Sequence, residues 1–210
     1  MTAPNSAFAE IRDNEEKYFV QSIGILIAVS FLTILVIVPF LVIPFDDVYL
    51  EEFDNFLFGI DNVDIVLSVI SSIITGFVSA ALSYFIGKKI GGNKNWKKVF
   101  SVVLHTNVIV FPMMLIFSLL VFLMLGSLVS LDIPSLVDED LSEQEALTAV
   151  GPMLGYVGLI VVTAIVFVIW IIVVSVKALK VVNDFETGKA FGLLILVMIL
   201  SSIATIPLGL

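Results

Sequence analysis

Five of the ten basic residues stand in one short stretch, Gly87-Lys-Lys-Ile-Gly-Gly-Asn-Lys-Asn-Trp-Lys-Lys-Val-Phe100, the densest run of chemically active side chains in the chain. Lys88, Lys89, Lys94, Lys97 and Lys98 offer ammonium groups to anions, each contributing about 1 kcal/mol of attraction when it lies near an anionic leaflet. A lysine at the centre of a bilayer costs roughly 2.5–3.5 kcal/mol, so the stretch belongs in water or among headgroups, with Trp96 at headgroup depth. The plain reading is that these lysines only set topology. A surface for anionic lipids or other membrane proteins is compatible with it.

Little else in the sequence suggests chemistry. With one histidine and no cysteine, the usual zinc sets, disulfides and thiolate reactions are excluded. His105 stands with Asn107 in an apolar run; without an intramembrane Asp or Glu to complete a proton relay, it reads as a histidine satisfied by serine or backbone. The same absence argues against an ion-coupled transporter. Asp61-Asn-Val-Asp64 and Asp138-Glu-Asp140 cluster oxygen ligands but lack the glycine and terminal glutamate of a calcium loop. Gly188-Lys189-Ala190 lacks the upstream glycine and the hydroxyl of a phosphate-binding loop. No nucleophile and base pair at membrane depth, so no enzyme, cofactor, metal or nucleic-acid partner is expected.

One more pattern carries polar groups. Ser71, Thr75, Ser79, Ser83 and Gly87 recur every four residues, with Ser72, Gly76 and Ala80 on the adjoining stripe. Small side chains at this spacing let helix backbones approach, and their hydroxyls bond across the contact at about 0.6 kcal/mol each. A close-packed seam, inside a bundle or between two copies, is favoured over a polar-lined path because no ionisable residue accompanies the hydroxyls.

The elements that position these residues are membrane spans. Hydrophobic residues make up 60% of the chain and charged ones only 14%, against about 25% in soluble domains. A spanning helix needs about 20 apolar residues, and five runs qualify: about 19–44, 63–87, 99–125, 153–176 and 191–208. Pro39 is expected to kink the first and Pro44 to end it, while Pro112 lies inside the third. The polar residues 1–18, with Glu10, Asp13, Glu15 and Glu16, are unlike a signal peptide. The predicted organisation is therefore a short N-terminal segment, 1–18, followed by an all-α membrane bundle of five helices, 19–210.

Charge orients this bundle. All ten bases fall in the N-terminal segment and in the second and fourth connectors, where Lys177, Lys180 and Lys189 join those already named; these segments hold six acids. The first and third connectors hold the other thirteen acids and no base. The positive-inside rule then predicts a cytoplasmic N-terminus and an external C-terminus. In the first connector Val48, Tyr49, Leu50, Phe53, Phe56 and Leu57 recur at helical spacing, which suggests an interfacial helix. Ser142 and Glu145 form a capping box, which predicts a short exposed helix leading into the fourth span.

Five spans, the Gly91-Gly92 pair in a basic connector, Pro112 in the third span, Val168-Ile-Trp170 through Lys180, and Phe185-Glu-Thr-Gly-Lys189-Ala190 together resemble the Yip family of Ypt/Rab-interacting membrane proteins, from about Phe19 onward. The resemblance implies a non-enzymatic multi-pass protein that shapes membranes or organises lipids and partner proteins. Eukaryotic members bind small GTPases. Here the N-terminal segment is short and an Asp-Leu-Tyr-Gly-Pro-like motif is missing, which weakens that expectation. It also suggests a prokaryotic member in the plasma membrane; a eukaryotic one would sit in the Golgi or endoplasmic reticulum. The alternative function is a permease, or a transporter's membrane subunit, that uses the hydroxyl-lined second span.

Overall fold

The computed structural model describes residues 4–32, 62–129 and 143–205, and every regular element among them is helical. The elements are α1 (Pro4–Asp13), α2 (Glu15–Leu32), α3 (Asn62–Lys89), α4 (Trp96–His105), a 3-10 turn (Thr106–Ile109), α5 (Val110–Val129), α6 (Glu143–Asn183) and α7 (Thr187–Thr205). Four stretches are long and apolar enough to cross a membrane: Val66–Lys89, Trp96–Met124, Leu154–Asn183 and Thr187–Ala204. The first expected span is described only as far as Leu32 in α2; its remainder, with Pro39 and Pro44, lies outside the described residues, as do the Val48–Leu57 stretch, Ser142 and Asp138-Glu-Asp140.

Two local features go beyond the sequence pattern. The third span is not one smooth helix, because the chain tightens into the 3-10 turn between α4 and α5. Pro112 has no N–H to give Val108, and its ring would crowd that carbonyl in a regular helix. The disturbance is absorbed on the N-terminal side of the proline. Thr106 Oγ1 donates to Val103 O at 2.6 Å and Asn107 Nδ2 to Leu104 O at 2.9 Å, re-satisfying carbonyls there. The second feature concerns the fourth span. Among the described residues the expected exposed helix is continuous with the span, because α6 runs unbroken over 41 residues from Glu143, about 60 Å at 1.5 Å per residue. That is twice the hydrocarbon thickness, so α6 projects beyond it.

The buried core gathers at the lysine-bearing end. Phe8 and Ile11 of α1 pack with Val99 and Val102 of α4 and with Val174, Ala178 and Val182 of α6. A second cluster joins the end of α6 to α7 through Leu179, Phe185, Ala190, Leu193 and Val197. Leu26, Ala80 and Leu104 tie α2, α3 and α4 together. Farther along, α6 turns Val161, Val162, Ile165, Val166 and Ile169 outward, as lipid-facing surface requires. The N-terminal segment is therefore a helix whose apolar side enters the core.

His105 is held as its plain reading supposes. Its Nδ1 faces Ser22 Oγ and, at 2.9 Å, Ser101 O, while Tyr18 meets the ring edge-on at 5.7 Å. Ser22 Oγ in turn donates to Tyr18 O at 2.6 Å. A proton on Nδ1 satisfies the set.

Candidate functional site

The connector between α3 and α4 is built from glycine and asparagine, each for its own reason. Gly91 has φ of 91°, a left-handed conformation that glycine adopts without steric cost. The Gly92 N–H then reaches Gly87 O at 2.8 Å and the Gly91 N–H reaches Lys88 O at 3.3 Å; this pair of bonds closes the end of α3. Gly92 is needed for space, because a Cβ there would collide with Asn183 Oδ1 and with Phe185 Cζ.

Three asparagines lock what the glycines permit. Asn183, only 4% exposed, accepts the Asn93 N–H on Oδ1 at 3.1 Å and donates its own amide to Leu179 O at 3.1 Å. Asn93 donates through Nδ2 to Val182 O at 3.0 Å and accepts the Asn95 N–H at 2.9 Å. Asn95 caps α4 by accepting the Lys97 N–H at 3.0 Å. Its amide donates to Glu15 Oε1 at 2.7 Å, and Lys98 Nζ lies 3.3 Å from Glu15 Oε2.

The N-terminal helix joins the same end. Arg12 donates to Val181 O and to Asp184 Oδ1, both at 3.0 Å, and its Nε bonds Asp13 at 2.8 Å. Val181 O belongs to the last turn of α6, where carbonyls lack intrahelical donors. The Arg12 hydrogen bond, aided by its charge, holds the Asp13 carboxyl below its ordinary range. Asp184 takes φ of 54° where α6 ends, and the Phe185 N–H closes onto Lys180 O at 3.1 Å.

The three basic segments thus meet at one end of the bundle. On it Lys88, Lys89, Lys94 and Lys97 are exposed; Lys88 Nζ lies 5.6 Å from the Tyr84 ring centroid. Lys98 differs, being partly buried against Glu15. The arrangement is a platform of exposed ammonium groups on a hydrogen-bonded base. Among the described residues no three metal-ligating side chains come together.

The sequence pattern of the Yip1 domain matches residues 1–206, nearly the whole chain. The chain belongs to the Yip family. No curated protein and no solved structure matches it significantly. The match includes the N-terminal segment, whose Arg12 and Glu15 tie it to the rest.

Within this Yip domain the four residues singled out by resemblance divide into two places. Gly91 and Gly92 shape the platform. Pro112 and Trp170 line one apolar groove on the bundle's side, together with Val108, Phe111 and Phe167. The hydroxyl stripe of α3 meets several neighbours. An added Cβ on Gly76 would meet Leu26 of α2, Ser79 Oγ lies 3.0 Å from Ser201 Oγ of α7, and Gly87 abuts Asn183 and Leu193. Ser83 is buried, and Ser71 and Thr75 are half-buried. Sequence reasoning passed over Arg12, Glu15, Asn93, Asn95 and Asn183. Their one local signal is asparagine at chain turns, beside Gly92 and before Asp184.

Proposed function

We propose that this Yip-family protein is a non-enzymatic membrane organiser, with its N-terminus cytoplasmic and C-terminus external, that gathers anionic lipids or acidic partner proteins on its lysine platform. The observation that carries this reading is the exposure of Lys88, Lys89, Lys94 and Lys97 on a connector immobilised by Asn93, Asn95 and Asn183. Fixed cations spare the ligand the cost of ordering the loop. The convergence of all basic segments at one end supports that end as the cytoplasmic one.

The test uses the full chain in uncharged detergent micelles, titrated with fluorescent phosphatidylserine. Changing the four exposed lysines to Gln removes the cationic partners of the headgroup and should weaken binding about tenfold at low salt. Unchanged binding by a folded variant rejects the platform as the working surface.

The second reading, a permease or transporter subunit, draws support from the helix break at Thr106–Ile109, which faces the hydroxyl stripe across a cavity. It expects solute flux in proteoliposomes that drops when Ser79 and Ser83 become Leu.

A further inference from the structure

Between α3, the 3-10 turn, α6 and α7 lies a cavity of about 420 Å³, within the range of small-molecule sites. Its wall is mostly aliphatic. The polar groups come from Thr75, Ser79, Ser83, Thr106, Asn107 and Ser175, and no charged side chain lines it.

Ser83 points to a ligand. It is 2% exposed and lines the cavity, and its hydroxyl meets no hydrogen-bond partner among the described residues. Other helical serines here settle on the carbonyl four residues earlier: Ser22 on Tyr18 O, Ser30 on Leu26 O and Ser202 on Met198 O. A buried hydroxyl without a partner is costly in a hydrocarbon setting. Across the cavity Thr106 has given its hydroxyl proton to Val103 O and Asn107 one of its two amide protons to Leu104 O, so Thr106 offers acceptor oxygen and Asn107 its Oδ1 and one remaining N–H. The site thus holds a donor at Ser83 facing acceptors at Thr106 and Asn107, a set that an alcohol satisfies from both sides.

The approach to the cavity is apolar. Val168 of α6 and Met198 of α7 belong to its lining and are 53% and 50% exposed, so its mouth opens sideways between these helices toward hydrocarbon.

We infer that this cavity is a binding site for an uncharged, hydroxyl-bearing lipid of the diacylglycerol type, entering laterally from the bilayer with its hydroxyl between Ser83 and Asn107. The site is separate from the lysine platform and stands whether or not that surface binds anions. Lining without charge excludes a phosphorylated headgroup, because a buried unpaired anion has no counter-ion there.

The experiment uses the full chain in nanodiscs of uncharged lipid, photolabelled with a diazirine-bearing short-chain diacylglycerol and competed with dioctanoylglycerol or dioctanoyl phosphatidic acid. Expected are adducts on peptides of α6 and α7 around Val168 and Met198, competition by dioctanoylglycerol at least tenfold better than by its phosphate, and about tenfold weaker competition in Ser83→Ala combined with Asn107→Leu. Each lost hydrogen bond accounts for a several-fold share of that change. A Ser83→Ala single variant serves where the double variant does not fold and should weaken labelling severalfold. Labelling elsewhere, equal competition by phosphatidic acid, or unaltered competition in folded variants overturns the assignment.

Discussion

Replacing Asn183 by Leu tests whether the connector is truly held by this one amide. Leucine keeps the branching of the side-chain heavy atoms but carries two bulkier methyl groups, so some crowding against Gly87 and Gly92 adds to the cost. What is lost is the acceptor for the Asn93 N–H, at 3.1 Å, and the donor to Leu179 O. At 4% exposure water does not readily replace either. A buried donor left unpaired costs about 1–3 kcal/mol, whereas the mutual loss of a well-made neutral bond costs about 1 kcal/mol; the leucine's own burial offsets part of this. The expected net destabilisation is about 1–3 kcal/mol, measured as the shift of the unfolding midpoint in mixed micelles of rising dodecyl sulfate fraction. Gly188→Ala is the reference, since a Cβ there meets nothing within 4 Å. Hydrogen exchange adds a local readout, with protection at the Asn93 amide falling first. If Asn183→Leu unfolds with Gly188→Ala and the Asn93 amide stays protected, the amide is not what holds the connector.

Two glycine substitutions should part company. Gly92→Ala drives a Cβ into Asn183, which its hydrogen bonds keep in place, and should cost about 2 kcal/mol or more in the same unfolding assay; Gly24→Ala, where a Cβ meets nothing within 4 Å, should cost nothing measurable. Arg12→Gln should speed amide exchange throughout α1, because the contacts to Val181 O and Asp184 weaken together. Because Arg12 lowers the Asp13 carboxyl in the folded state, that pair's contribution is complete above the ordinary carboxylate value of about 3.9 and fades as pH falls through the lowered folded-state value. Intrinsic-rate-corrected exchange in α1 should therefore be flat from about pH 7 to 5 and rise only below about pH 4, with the rise absent in Arg12→Gln; a rise already at pH 6 refutes the assignment.

Four of the five expected spans coincide with helices long and apolar enough to cross a membrane, because their apolar runs stop at charges such as Lys88 and Lys177 and hydrocarbon tolerates few other patterns; the helix of the fourth span nevertheless runs on past Lys177 to Asn183. Pro112 announced a disturbance in the third span, though not that the turn before it would absorb the strain. The four-residue stripe of α3 showed which side is small. It could not show that Gly76 meets α2, Ser79 meets α7 and Ser83 faces a cavity, because one periodicity is common to all three. Least readable was the asparagine lock. Asn93 and Asn183 are ninety positions apart, and polar residues at chain turns look alike until the fold brings them together. Arg12 and Glu15 shared this fate, since an acidic, polar leader gives no sign of the partners that order it.

The length of α6, 41 residues, has a geometric corollary. A tilt of about one degree about one end carries the other end roughly 1 Å sideways, a third of a hydrogen-bond length. Asn183 sits at the C-terminal tip of this helix. A change in how steeply such a helix leans therefore displaces the residues that hold the lysine-bearing loop more than those near the helix's middle.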